Sequence, residues 1–158
     1  IKKHPEYLFV FHGPEQKNPE KDKFYQTQKW IKKLKQYENT LFSQNDDRNF
    51  AYSLIKNFDI AIIPYNLDLP FNQYCYPMKI FEYFYLGKPV ISTGILELKL
   101  KKFNQLIKIT DSDAEWETAI KQLLSKSLST EQEKKQKQLA LNNSWQNKID
   151  KLTKHLDI

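Results

Sequence analysis

The segment Pro77 to Gly94, Pro-Met-Lys-Ile-Phe-Glu-Tyr-Phe-Tyr-Leu-Gly-Lys-Pro-Val-Ile-Ser-Thr-Gly, leaves little choice of local structure. Pro77 suits the first turn of a helix, where the N–H it lacks would have no partner. Gly87 suits the left-handed residue that closes a helix, and Pro89 prevents continuation. Pro89 to Ser92 is short, apolar, and β-branched at Val90 and Ile91, which predicts a covered strand. At about 100° per residue, Met78, Phe81, Phe84 and Tyr85 fall on one side of the helix. Glu82 and Lys79 lie on the flank of that stripe. In an α/β protein, an acid at the edge of an apolar helix face and near a strand end stands where ligands are held.

The rest of the chain repeats this alternation. Tyr7 to Phe11 reads as a buried strand ended by His12-Gly13-Pro14, and a helix is predicted from about Asp22 to Gln36. Its sparse stripe is Phe24, Gln28, Ile31 and Leu34, with Trp30 beside it. Thr40 to Ser43 is a second strand. The polar loop Gln44 to Asp47 offers Asp46 or Asp47 as cap for a helix from Arg48 to Asn57. Asp59 to Tyr65 is continuous and apolar, the pattern of a parallel strand covered on both faces. Asn66 to Tyr76 is a long polar and aromatic loop at its carboxyl end. After the organising segment come a helix over Leu96 to Phe103 and a strand over Leu106 to Ile109. The helix Asp113 to Leu124 turns Trp116, Ile120, Leu123 and Leu124 inward, capped by Asp111 or Ser112. A long helix from Glu131 to His155 breaks near Asn142-Asn143-Ser144, with Leu139, Trp145, Ile149, Leu152 and Leu156 as its apolar contacts. Strands alternating with helices predict an α/β fold, a Rossmann-like parallel sheet flanked by helices with right-handed crossovers.

With 158 residues, one domain is expected, and a core that buries roughly 70% of the unfolded surface is within reach. The net charge of +6 is carried mostly by lysine, with Arg48 the single arginine. Phosphate and base readers favour arginine forks, so the excess reads as a lysine-rich solvated surface. The single cysteine, Cys75, excludes an internal disulfide and a cysteine zinc cage. The absence of a bilayer-length apolar run and of a signal peptide fits a cytoplasmic protein. A first residue that is not methionine suggests a fragment of a longer protein, a single domain over residues 1–158 truncated at its amino-terminus.

In such sheets ligands sit outside the carboxyl ends of the strands, which predicts a pocket built by His12-Gly13, Ser43-Gln44, Tyr65 to Tyr76 and Ser92 to Gly94. Glu82 and Lys79 are either an ordinary ion pair at three-residue spacing, or an acceptor for ligand hydroxyls beside a cation for a phosphate. The helix start at Tyr76, Met78 and Lys79 either binds an anion through its N–H groups or is simply solvated. Gly13 either lets a ligand approach the backbone or makes a plain turn. Ser92 and Thr93 either bond a diphosphate or cap the next helix. Asp68, Asn72 and Gln73 suit either sugar hydroxyls or a wet loop. His4, His12 and His155 are scattered, so neither a metal site nor a histidine-based triad is expected. No glycine fingerprint of a dinucleotide enzyme or P-loop is present.

The pattern Pro77-x-Lys79-x-x-Glu82-Tyr83-x-x-x-Gly87-Lys88-Pro89-Val90-Ile91-Ser92-Thr93 resembles the carboxy-terminal, nucleotide-sugar-binding domain of GT-B-fold glycosyltransferases of the group 1 or family 4 type. That group includes capsule, lipopolysaccharide and teichuronic-acid enzymes. Phe9 to Pro14, Phe58 to Pro64 and Asn143-Ser144-Trp145 agree with it in order along the chain. The resemblance implies a glycosyltransferase, of hexosyltransferase type and retaining, that takes a nucleotide-diphosphate sugar such as a UDP- or GDP-sugar and needs no cofactor or metal. Glu82 would bond the ribose hydroxyls, and Lys79 with the helix start at Tyr76 and Met78 would face the diphosphate. Thr93 would border it, and Gly13 would let the nucleotide approach. Many members carry a second glutamate where Tyr74 stands, which alters the donor-sugar contact expected of Tyr74 and Asn72.

By the same resemblance, acceptor site and catalytic residues lie in an amino-terminal domain, and the acceptor is a glycan or a lipid-linked molecule. The fragment alone is expected to transfer no sugar, while the whole protein works in the cytoplasm or at the inner face of the membrane. A non-catalytic Rossmann-like module for a nucleotide or a partner, and a GT-B-fold sugar-nucleotide epimerase, are the alternative functions. A nucleic-acid reader would need its lysines gathered on one face with exposed aromatics, and the sequence scatters them.

Overall fold

The computed structural model describes residues 1–15, 20 and 27–156. Its contacts form two compact units, Ile1–Leu54 and Ile55–Ile158. Both are Rossmann-like, with parallel strands flanked by helices.

In the amino-terminal unit, β1 (Phe9–His12) pairs in parallel with β2 (Thr40–Ser43), Phe9 opposite Thr40 and His12 opposite Ser43. Phe11 and Phe42 stack across the pair at 4.8 Å. The strands are half-buried, where the sequence predicts a buried β1, and Leu41 faces outward. The crossover between them holds α1 (Thr27–Leu34), whose predicted start at Asp22 and whose Phe24 lie outside the described residues. Thr40 Oγ1 donates to the carbonyls of Leu34 and Tyr37 and so ties the end of α1 to the strand. Asn39 Nδ2 donates to the carbonyls of His4 and Tyr7, at 2.8 and 3.0 Å, which fastens the chain's first turns. The helix α2 (Arg48–Lys56) follows, and Asp47 Oδ1 caps it by accepting from the Asn49 N–H.

The carboxy-terminal unit is built on β3 (Ala61–Ile63), β4 (Val90–Thr93) and β5 (Lys108–Thr110), parallel and in that order. Val90, Ile91 and Ser92 are all buried, so β4 is covered on both faces. β3 departs from its prediction: Ala61 and Ile63 are buried, but Ile62 on the opposite face is 38% exposed. A strand at the edge of a three-stranded sheet alternates where the central one does not.

Between β3 and β4 the expected long loop contains a short helix, α3 (Pro70–Tyr74), with Pro70 at its first position. Then comes α4 (Lys79–Tyr85), entered by a turn in which the Ile80 and Phe81 N–H groups donate to the Pro77 and Met78 carbonyls. Its buried face is Ile80, Phe81 and Phe84. Tyr85 and Met78, assigned to that face from the sequence, are exposed instead. Ile80 is the residue that moves the stripe round the helix, because the core takes the branched aliphatic side chain in preference to a phenol. Phe81 and Phe84 meet Phe103 at 6.3 and 6.4 Å. Gly87 closes the helix at φ 65°, and the Gly87 and Lys88 N–H groups return to the carbonyls of Phe84 and Tyr83. That pairing is the Schellman closure the sequence calls for.

The segment Leu96 to Phe103, expected as one helix, is two 3₁₀ turns, Leu96–Lys99 and Lys101–Phe103, separated by an extended Leu100. Ile95 and Leu98 share one face at the three-residue spacing of such turns, and the break at Leu100 lets Phe103 reach the core. The helix α5 (Asp113–Ser125) starts in a capping box of Ser112 and Glu115. Ala119 is its buried residue, and Leu124 faces out rather than in. The last predicted helix is two, α6 (Thr130–Asn142) and α7 (Trp145–Leu156), broken at Asn143-Ser144 as expected. α6 packs on α4 through Ala140 and a fully buried Gln136. The Gln136 amide donates to the carbonyls of Leu106 at 2.9 Å and Lys88 at 3.4 Å. These are the chain segments entering β5 and β4. The predicted inward contacts of α7 are corrected outright: Trp145, Ile149, Leu152 and Leu156 are all exposed.

Gly87→Ala would force a β-carbon into the left-handed region with nothing nearby to clash, so only backbone strain is added. The expected loss is about 1–2 kcal/mol, read as a lower urea midpoint with an unchanged slope. Gln136→Ala would orphan the Leu106 carbonyl and open a void, for an expected loss of about 2–4 kcal/mol, measured the same way.

Candidate functional site

The segment that organises the sequence carries Glu82 and Lys79 on α4. Glu82 stands two residues from both Ile80 and Phe84, so it projects roughly 160° away from either. Its carboxylate is half-buried and makes no hydrogen bond or ion pair among the described residues. Lys79 shares its side of α4, is exposed, and forms no ion pair with it. The ordinary three-residue pair is therefore not made, and the carboxylate remains available as an acceptor. The turn into α4 already engages the N–H groups of Ile80 and Phe81, so fewer amides face outward than a bare helix start would offer.

Beside Glu82 the environment is poor in water. Burial first, then the Glu82 charge and Tyr65, push the Tyr83 phenol up to about 12. Burial and the neighbouring Cys75 raise Tyr65, and burial raises the Cys75 thiol despite a backbone hydrogen bond that works the other way. The Cys75 thiol donates to the Asn72 carbonyl at 3.3 Å.

At the carboxyl ends of the strands, Ser92 Oγ shares its proton between the Thr93 carbonyl at 2.9 Å and the Ile63 carbonyl at 3.2 Å, and Thr93 Oγ1 donates to the Tyr65 carbonyl at 3.0 Å. Both hydroxyls latch β4 to the exit of β3. They cap no helix, and Thr93 can meet a ligand only through its lone pairs while that bond lasts. The strand end is also roofed. Lys99 and Asp111 lie 3.6 Å apart, and a β-carbon on Gly94 would collide with Asp111 Oδ1.

The loop before α4 braces itself. Asn72 Nδ2 donates to the Asn66 carbonyl, Gln73 Nε2 to the Leu67 carbonyl, and the Asp68 N–H to Asn66 Oδ1. Tyr74 is 73% exposed and Met78 is exposed. Tyr76 has a role no sequence pattern announced: its hydroxyl bonds Asn143 Oδ1 at 3.0 Å, and its ring lies under the Lys102 and Lys148 ammoniums at 5.0 and 5.6 Å.

In the amino-terminal unit, Gly13 follows β1 at φ 139° with open space where a side chain would be. Its N–H donates to the Ser43 carbonyl at 3.0 Å, and His12 Nδ1 lies 3.3 Å from Ser43 Oγ. Its neighbour His12 is thus held by hydrogen bonding and by Phe50 at 5.8 Å, a structural histidine.

Two open crevices of the carboxy-terminal unit escaped the sequence reading. One runs between the second 3₁₀ turn and α6, bordered by Lys101, Lys102, Gln132, Lys135 and Gln138. The other lies under Leu98 to Lys101, Ile107 and Ile109. Neither is lined by Lys79, Glu82 or Thr93. The run Lys101-Lys102 was their only trace in the sequence. No group of His, Cys, Asp and Glu side chains suited to a metal occurs among the described residues, and no described helix is long and apolar enough to cross a membrane.

The family model described as "Glycosyl transferases group 1" matches residues 1–152. The chain belongs to this family. Membership fits the order of strand, glycine turn, acidic helix and buried strand found above. A curated relative, "Putative teichuronic acid biosynthesis glycosyltransferase TuaH" of Bacillus subtilis (strain 168), is 28% identical over 91 residues. The match covers 58% of this chain and 21% of that protein, so the chain spans about a fifth of the relative's length.

Ionising Tyr83 in place must overcome its burial, so its folded pKa exceeds the unfolded value near 10. A raised phenol favours the folded state below the unfolded pKa and loses that contribution as pH rises toward the folded one. Stability should therefore fall between about pH 10 and 12, by about 2 kcal/mol from this residue. Tyr83→Phe should flatten that part of the profile, as followed by urea unfolding against pH.

Proposed function

We propose that this chain is the donor-binding part of a glycosyltransferase that moves a sugar from a nucleotide-diphosphate sugar, such as a UDP- or GDP-sugar, to a glycan or lipid-linked acceptor. The observation that carries the reading is the match of the group 1 family to residues 1–152, which makes glycosyl transfer the chemistry to explain. The geometry supplies support. Glu82 is a half-buried carboxylate with no partner among the described residues, on the outward side of α4. A carboxylate so placed accepts two hydroxyls well, and the ribose of a nucleotide presents two adjacent ones.

Lys79, one turn earlier, brings a cation toward the diphosphate. A departing diphosphate carries the charge that must be stabilised, and fixed positive groups do this without a metal. We assign the acceptor site and the catalytic residues to a domain that precedes this one, and retention of anomeric configuration to the whole enzyme. A role in surface polysaccharide synthesis is supported by the teichuronic acid biosynthesis for which the Bacillus relative is named. On this reading the whole protein works in the cytoplasm or at the inner face of the membrane.

The exposed Tyr74, where relatives of this type carry a glutamate, leaves the donor sugar without that carboxylate, and Asn72 beside it is turned into its own loop. This favours, as a second reading, a module that binds a nucleotide without transferring its sugar.

Calorimetric titration of UDP, GDP and ADP into the full-length protein distinguishes the nucleotides. Glu82→Ala should weaken the preferred one roughly tenfold or more, the loss expected of hydrogen bonds to a charged group. Unchanged affinity removes Glu82 from the ribose site. Transfer by the full-length enzyme, followed by NMR of the product's anomeric proton, decides both transfer and retention.

A further inference from the structure

The two crevices of the carboxy-terminal unit share one rim. Lys101, Asn104 and Gln105 border both, the larger of about 580 Å³ and the smaller of about 480 Å³. Each volume lies within the roughly 300–1,000 Å³ of sites that hold small molecules. All three residues are exposed, and none of their side chains has a hydrogen bond or ion pair among the described residues.

The backbone beneath them is committed. The Gln105 carbonyl accepts from Gln132 Nε2 at 3.1 Å, and the Leu106 carbonyl from Gln136 Nε2 at 2.9 Å. Gln132 is fixed in turn by the capping box with Ser129 that opens α6. The rim is thus held in its main chain and free in its side chains, so a ligand need not pay to order the backbone. Gln105 adds a second sign. At φ 64° it is the one left-handed residue other than glycine among the described residues. Glycine takes that conformation freely and glutamine does not. A backbone requirement alone would be met better by glycine, so the position keeps its side chain against a conformational cost.

The opposite wall of the larger crevice is one face of α6, where Gln132, Lys135, Gln138 and Asn142 recur at three- and four-residue spacing. Gln138 Nε2 donates to Asn142 Oδ1 at 2.9 Å, which leaves the Asn142 amide protons without a partner among the described residues. The other lysines of the two crevices are already paired: Lys102 with Glu97, Lys135 with Glu131 at 2.7 Å, and Lys99 with Asp111 at 3.6 Å. Lys101 is therefore the uncommitted cation of the rim. Leu106 and Leu139 give the larger crevice an apolar stretch.

We propose that this rim binds a short acidic saccharide whose negative group is a carboxylate. A side-chain amide offers a donor and an acceptor together, as a sugar hydroxyl does. One free ammonium matches one singly charged carboxylate, whereas a phosphate calls for the further cations that Glu97, Glu131 and Asp111 already engage. Leu106 and Leu139 suit the C–H face of a sugar ring. Lys101 takes the carboxylate, and Asn104, Gln105 and Asn142 take hydroxyls. Neither Glu82 nor Lys79 lines either crevice, so the proposal does not rest on the donor reading.

The test is calorimetric titration of the full-length protein with trigalacturonate, maltotriose, tetraglutamate and inorganic phosphate at one ionic strength. Trigalacturonate should bind saturably and roughly tenfold or more tighter than each of the other three, the margin expected of one hydrogen bond to a charged group. Lys101→Gln should weaken it by about the same factor. Gln105→Gly keeps the main-chain bond to Gln132 and relieves the left-handed strain. It should weaken the saccharide about threefold or more without lowering the urea midpoint. Glu82→Ala should leave trigalacturonate affinity unchanged, and Lys101→Gln should leave nucleotide affinity unchanged, so the two sites succeed or fail separately. No binding of trigalacturonate, equal binding of any of the other three probes, or unchanged affinity in Lys101→Gln/Gln105→Gly would each overturn the proposal.

Discussion

The carboxy-terminal unit rests on one strand being sealed on both sides. Val90, Ile91 and Ser92 have no contact with water, so every peptide group of β4 must find its partner within the protein. β3 and β5 supply those partners as parallel neighbours. The helices that cover the strand are consequently not optional: α4 brings Phe81 and Phe84, and the second 3₁₀ turn brings Phe103. The polar residue within the strand is handled in the same economy of partners. Ser92 would be expensive to bury alone, and its hydroxyl bonds the Ile63 carbonyl at the point where β3 ends.

That sealing also explains where chemistry is permitted. A helix that gives Ile80, Phe81 and Phe84 to the core must turn Lys79 and Glu82 away from it, because the residue two places from two core positions has nowhere else to go. The same argument fixes the exits of the strands. Thr93 reaches the Tyr65 carbonyl, and Lys99 with Asp111 closes over Gly94. On the outer side of α4, Glu82 and Lys79 are left unengaged among the described residues.

Much of this was legible in the residues. Gly87 and Pro89 announced where α4 stops, Val90-Ile91 announced a buried strand, and Ser112, one of the two caps offered, announced the start of α5. Each of these signals is local: a backbone angle, a missing N–H, or a side chain bonding its own turn. What stayed hidden depended on distant partners. The burial of Ile80 in place of Tyr85 follows from which neighbours Phe103 and α6 provide. Two 3₁₀ turns stand where Leu96 to Phe103 read as a helix, because Leu98 and Phe103 must both reach one core. The site was legible to a lesser degree. Glu82 and Lys79 could be placed on a common face from spacing alone, but nothing local said that they would not pair. Nor did anything local predict that Asn72 would turn back to its own loop. The outward stripe of α7 was misread because period alone reports a face and never says what that face meets.

The bond between Tyr76 and Asn143 joins places 67 residues apart. It ties the entrance of α4 to the elbow between α6 and α7, where Asn143 Nδ2 also donates to the Leu139 carbonyl. The elbow therefore acts as a keystone for a turn it is nowhere near in sequence. A polypeptide emerging from the ribosome cannot set that turn until the elbow 67 residues later has been made.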